Sequence, residues 1–224
     1  MTSAQSAAPT RIDPWAVGAA IASISAVGIA LGLGLPLLSV ILERRGVSAS
    51  MIGANTAFAG IASLIAAPLV TPIARRLGVA TTMLLSIVAS ALAAIGFYVY
   101  DDIAAWFGLR LVFHFAVTTL FILSEFWISA AAPPDRRGLV LGLYATFLSL
   151  GFAAGPWLFS QVGSIGPLPF YLAAGILAAA SLPILAAWRH QPALSDFTIS
   201  VIEMPSRLSS TITTSPRATR RLLT

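Results

Sequence analysis

Six long apolar runs, separated by short clusters of charge, Gly or Pro, organise the chain. They are Pro14–Leu42, Met51–Ile73, Val79–Tyr100, Ile103–Ala132, Leu139–Val162 and Leu168–Trp188. Crossing the hydrocarbon of a bilayer takes about 20 apolar residues in a helix, and each run has or nearly has that length. The interruptions are Glu43-Arg44-Arg45-Gly46, Arg75-Arg76-Leu77-Gly78, Asp101-Asp102, Pro133-Pro134-Asp135-Arg136-Arg137-Gly138, Gly163–Pro167 and Arg189-His190-Gln191-Pro192. Each carries the residues of a turn at headgroup level. The runs are continuous rather than alternating and far longer than a barrel strand, which argues against membrane strands. The pattern predicts an all-α membrane protein of six transmembrane helices over residues 14–190. A polar amino-terminal tail, 1–13, precedes them, and a flexible Ser/Thr-rich tail, 191–224, follows. The first run is too long for the apolar core of a cleaved signal and is expected to be retained.

Composition sharpens this reading. The chain is 58% hydrophobic and 9% charged, whereas soluble domains carry about a quarter charged residues. So few charges could not cover a water-soluble surface, so the lipid bilayer is the partner the composition demands. The net charge is +5 and every basic residue is Arg. These residues fall between apolar runs and in the tail, and form no basic face with interleaved aromatics, which excludes a nucleic-acid partner. Counting Arg orients the chain. With the amino terminus inside, Arg11, Arg75, Arg76, Arg136, Arg137, Arg189, Arg207, Arg217, Arg220 and Arg221 lie inside, and only Arg44 and Arg45 outside. Both termini are therefore expected in the cytoplasm. The chain has no Cys, so thiolate chemistry is excluded. No His, Asp and Glu set has metal-ligand spacing and no nucleophile motif stands beside a partner His, so neither an enzyme nor a cofactor is expected.

The fourth run holds the candidate chemistry, because ionisable groups inside a span are costly and default to functional candidates. At about 100° per residue, Arg110, His114, Thr118 and Glu125 fall on one helix face. Two readings are open. Either the stripe faces a water-filled path, with Glu125 and His114 exchanging protons and the permanent charge of Arg110 holding an anion or biasing its neighbours; or Arg110 and Glu125 snorkel to opposite interfaces and His114 bonds a neighbouring helix. The fifth run carries Gly142, Gly151, Gly155 and Pro156. This set suits a bending pivot or close helix packing equally. Pro68 occupies in the second run a place like that of Pro156 in the fifth, which suggests a three-plus-three repeat.

These motifs in this order resemble the amino-terminal six-helix half of a major facilitator superfamily transporter. Gly142, Gly151 and Gly155-Pro156 have the spacing of its fifth-helix motif, with Phe159-Ser160 where a Gly pair usually ends it. Arg110 resembles the Arg of its fourth-helix motif, with Phe113, His114 and Phe115 after it. Arg76 and Gly78 match its first cytoplasmic loop motif, with Thr71 and Arg75 in place of the usual Gly and Asp. Ser124-Glu125-Phe126-Trp127, then Asp135-Arg136-Arg137-Gly138, is similar to a bacterial branch with Glu-x-Trp in the fourth helix. The resemblance covers residues 14–190. It implies a proton-coupled secondary transporter of the bacterial inner membrane that moves a small-molecule substrate by alternating access. Arg110, Glu125 and His114 would serve coupling or substrate contact, and a second six-helix half or a second copy would complete the cavity. The alternative is a non-transporting membrane scaffold or partner subunit.

Overall fold

The computed structural model describes residues 11–192; the predicted flexible tail lies outside the described residues except for Gln191 and Pro192. Five unbroken helices come first: α1 (Pro14–Arg44), α2 (Ala49–Leu77), α3 (Val79–Val99), α4 (Ile103–Ala130) and α5 (Arg137–Val162). The sixth span is split into α6 (Leu168–Ala179) and α7 (Ser181–Ala186), followed by a 3-10 turn at Trp188–His190. All six spans are long and apolar enough to cross a membrane, and there is no strand among the described residues. The break at Ala180 precedes Pro183, whose missing N–H and bulky ring disrupt the helical bonding one turn upstream. The Ser23 hydroxyl of α1 donates to the Ala180 carbonyl at 3.3 Å across this break.

The α2 helix runs past its apolar run at both ends, because its caps end it and not the loss of hydrophobicity. Ser48 accepts from the Met51 N–H and starts α2 early. At the other end α2 continues through Arg75, Arg76 and Leu77, and Gly78 alone makes the turn, with φ +88°. That backbone conformation is one only Gly adopts freely. The expected four-residue loop is thus corrected: Arg75 and Arg76 are the last helical turn, where positive charge complements the helix dipole. Arg137 likewise is the first residue of α5, not a loop residue.

The packing bears out the repeat. The α1 helix packs most extensively on α5, and α2 on α4; α3 meets α4 as α6 meets α1. Exchanging helices 1, 2, 3 with 4, 5, 6 leaves these pairings unchanged. The least buried spans, α2 and α5, are exchanged with each other. Their buried stripes share one spacing, Asn55, Ala62 and Ala66 in α2 against Tyr144, Gly151 and Gly155 in α5, and Pro68 and Pro156 follow within one position of register.

Bundle ends are tied by polar contacts. At one end Arg45 donates to the Asp101 carboxylate at 2.8 Å and to its carbonyl at 3.0 Å, and its guanidinium lies over Trp106, 4.8 Å from the ring centre. At the other, Asp13 caps α1 by accepting from Trp15 and Ala16. Its N–H donates to the Ala131 carbonyl at 3.0 Å, and its carboxylate takes the His190 Nδ1–H at 2.7 Å. The Gln191 side chain accepts from the Ala80 N–H, so the ends of α1, α3, α4 and α7 meet there. Partial burial raises the Asp13 carboxyl, but the His190 and backbone hydrogen bonds outweigh this and hold it below its ordinary 3.8. Its contribution to stability is therefore complete above pH 3.8 and disappears as pH falls through the lower folded value. Replacing Asp13 with Ala should cost about 1 kcal/mol at neutral pH. Melting curves of the two proteins should converge in strong acid; a gap that persists there would mean the carboxylate is not what stabilises this end.

Candidate functional site

The α4 helix sits centrally, packing on α1, α2, α3 and α5, and carries Arg110 and His114 in its first half. Arg110 is 1% exposed, and its Nε donates to Oδ1 of Asn55 on α2 at 3.0 Å. Asn55 is itself fully buried, and its amide nitrogen has no hydrogen-bond partner among the described residues. No carboxylate pairs with Arg110 among the described residues. A guanidinium in a span, met by one neutral acceptor, is an expensive arrangement. His114 is half-buried one turn further on, and its Nδ1–H donates to the Arg110 carbonyl at 3.2 Å. That fixes the other ring nitrogen as the one free to take a proton or a ligand. Both residues line a cavity among α1, α3, α4 and α6 of about 20 Å³, room for about one water.

The polar stripe is divided by accessibility. Arg110 is enclosed, Thr118 bonds Ser63 of α2 at 2.8 Å, and Glu125 is exposed. Arg110 and Glu125 stand about 22 Å apart along the helix, too far for the electrostatic bias considered from the sequence; only His114 lies close enough to Arg110. Glu125 is instead beside Tyr144 of α5, whose hydroxyl bonds Ser124 at 2.8 Å. Close by, the buried Trp127 Nε1–H has no partner among the described residues. The stripe thus joins two polar clusters, Arg110–Asn55–His114 and Ser124–Glu125–Tyr144.

The glycines of α5 have different settings. A Cβ on Gly151 would lie 2.6 Å from the Ser25 carbonyl oxygen, and one on Gly155 would enter the backbone of Gly32 and Leu33. From the opposite side a Cβ on Gly32 would lie 2.6 Å from the Phe152 oxygen, and one on Gly28 2.8 Å from that of Leu148. Two pairs of Gly, each four residues apart, therefore bring α1 and α5 into backbone contact, as small-residue stripes do in membranes. Pro156 leaves the Phe152 carbonyl without its helical donor, and that oxygen is the one facing Gly32. Gly142 is exposed and would accept a side chain without contact; it takes no part in this packing.

Asp135 pairs with Arg136 at 3.8 Å in the turn before α5, and Arg137 donates to the Ser129 carbonyl at 3.1 Å, joining the end of α4 to the start of α5.

Residues 16–212 match the Major Facilitator Superfamily. The chain belongs to that superfamily. It is also 29% identical over 147 residues to an uncharacterized MFS-type transporter, YfkF, of Bacillus subtilis (strain 168). That match takes in 66% of this chain and 38% of the relative, so the chain spans well under two thirds of the relative's length. Superfamily membership together with six apolar helices makes this an integral membrane protein, and the six-helix half expected from the motifs is the fold observed. Sequence reasoning missed Asn55, Gly28, Gly32 and Tyr144. A signal existed for the glycines, since Gly28 and Gly32 repeat the four-residue interval of Gly151 and Gly155. Nothing in the second run marked Asn55, because an amide carries no charge to draw attention and its partner lies on another helix.

Proposed function

We propose that this chain forms six helices of a secondary transporter that moves a small molecule across the bilayer by alternating access, coupled to protons. The observation that carries the reading is Arg110, a buried cation in a span without a carboxylate among the described residues. Fold stability does not account for such a group, since apolar side chains pack the same space at lower cost. An anionic group of a substrate, or one brought by a second half, would answer it. His114 and Glu125 are the titratable groups proposed to carry protons, one beside Arg110 and one at the far cluster. The α2 and α5 faces, the least covered in the bundle, are proposed to meet a second six-helix unit or a second copy of the chain. The small cavity beside Arg110 and His114 is read as the closed phase of the cycle. The Arg distribution supports both termini in the cytoplasm, and the bacterial relative supports a place in a bacterial inner membrane.

The test is flux in proteoliposomes loaded with a pH-sensitive dye and offered a panel of organic anions, sugars, amino acids and lipophilic drugs. A compound that drives proton movement should lose that effect with Glu125→Gln, while the amount of inserted protein stays unchanged. Substrate movement at full rate without proton movement in the unaltered protein would remove coupling. No movement of any compound, with the protein folded and dimerised, would favour the scaffold reading.

A further inference from the structure

A groove of about 440 Å³ runs between α2, α3 and α4, away from both polar clusters. Its walls include Ile65, Ile73, Leu77, Leu85, Val112 and Phe115. Three hydroxyl side chains also border it, but each is spent on its own helix. Thr82 donates to the Gly78 carbonyl at 2.7 Å, Ser86 to Thr82 at 2.9 Å and Thr119 to Phe115 at 2.9 Å. The groove therefore offers a visitor only apolar surface. Its outer side continues into Leu85, Val88 and Leu92 of α3, an exposed row without a polar member. Such a row suits lipid.

Charge stands at one end only. Arg76 follows Ile65 by about three full helical turns, so it lies on the groove face of α2, at the headgroup end. It is exposed, and no carboxylate pairs with it among the described residues. From Ala62 to Leu77 the groove wall is about 22 Å long, the length of one extended acyl chain reaching from headgroup level towards mid-bilayer. A slot that is apolar along its length and cationic at its mouth matches a lipid whose tail is apolar and whose head is anionic.

We propose that this groove binds one acyl chain of an anionic phospholipid, whose phosphate rests on Arg76. The proposal rests on the membrane-spanning fold and is independent of transport. The chain has no Cys, so Leu85→Cys places a single bimane fluorophore on the groove wall. The full-length protein is reconstituted in vesicles containing brominated phosphatidylglycerol or brominated phosphatidylcholine with identical chains. Phosphatidylglycerol should quench half-maximally at about a fivefold lower mole fraction, the preference expected for one Arg near the surface. Arg76→Gln should erase the preference, and Arg136→Gln, at the same end of the bundle, should retain it. Ala89→Leu, which fills the groove from α3, should weaken quenching by both lipids. Equal quenching by the two lipids, or a preference that survives Arg76→Gln, would overturn the proposal. So would cross-linking of Leu85→Cys to a second copy, which would make the groove a protein interface.

Discussion

Gly155→Leu is expected to leave little folded protein after extraction, whereas Gly142→Leu in the same helix leaves the melting temperature unchanged. The two glycines belong to one sequence motif, and only the packing separates them. Gly155 lies against the backbone of Gly32 and Leu33, where no side chain can yield. A Leu there must push α1 and α5 apart along the most extensive helix contact in the bundle. Overpacking a core costs about 1–3 kcal/mol, and more where backbone must move. Gly151→Leu should behave likewise, since its Cβ would meet the Ser25 carbonyl. Thermal unfolding in detergent, followed by size-exclusion chromatography, reads the difference. Equal stability of Gly142→Leu and Gly155→Leu would mean α1 and α5 separate easily and the contact contributes little. The same geometry limits what Gly155 can reveal about a pivot, because a larger residue there damages packing before it affects motion. Pro156→Ala is the cleaner probe. Pro156 is exposed, and Ala restores the N–H that Phe152 lacks, so a slower cycle with unchanged folding is the expected sign of a pivot.

The second large effect is an inverse ordering of stability and activity around Arg110. Asn55→Leu removes the acceptor of a buried guanidinium and should destabilise the fold by about 3–5 kcal/mol, the usual penalty for orphaning a buried charge. Arg110→Met with Asn55→Leu removes charge and amide together and should be as stable as the natural protein or more so, by up to about 4 kcal/mol. Both variants should lose transport, because the cation proposed to meet an anionic group is either displaced or gone. Hydrogen bonds to charged groups contribute about 1.5–3 kcal/mol, so the loss in flux should be at least about tenfold. A double variant that melts well below the natural protein would show that Arg110 serves the fold. A double variant that transports normally would remove Arg110 from the mechanism.

Much of this architecture was readable from residue order. The six spans, their all-α character and the repeat follow from runs of apolar residues long enough to cross hydrocarbon, because lipid admits few backbone arrangements other than helices. Run lengths and the prolines at Pro68 and Pro156 are local properties and need no knowledge of partners. Helix ends were read less well. Arg75, Arg76 and Arg137 looked like loop residues because they are charged, yet they are helical: the positive φ of Gly78 ends α2 only after Arg75 and Arg76, and Arg137 opens α5. The candidate chemistry was half legible. Charge inside a span singled out Arg110, His114 and Glu125, and helical periodicity placed them on one face.

What the sequence by itself determined, then, is the membrane as solvent, the number of spans and the positions where charge enters them. Only the tertiary structure decided what each of those positions meets. It enclosed Arg110 against Asn55 and left Glu125 exposed beside Tyr144. It gave Gly151 and Gly155 a packing role that Gly142 lacks, and opened an apolar groove between α2, α3 and α4. The physical reason is that periodicity fixes the direction of a side chain about its own helix, whereas burial depends on which other helix fills that direction. In this bundle the filling helix comes from the opposite triplet, α2 for Arg110 and α1 for Gly155, at a separation along the chain that no local pattern encodes.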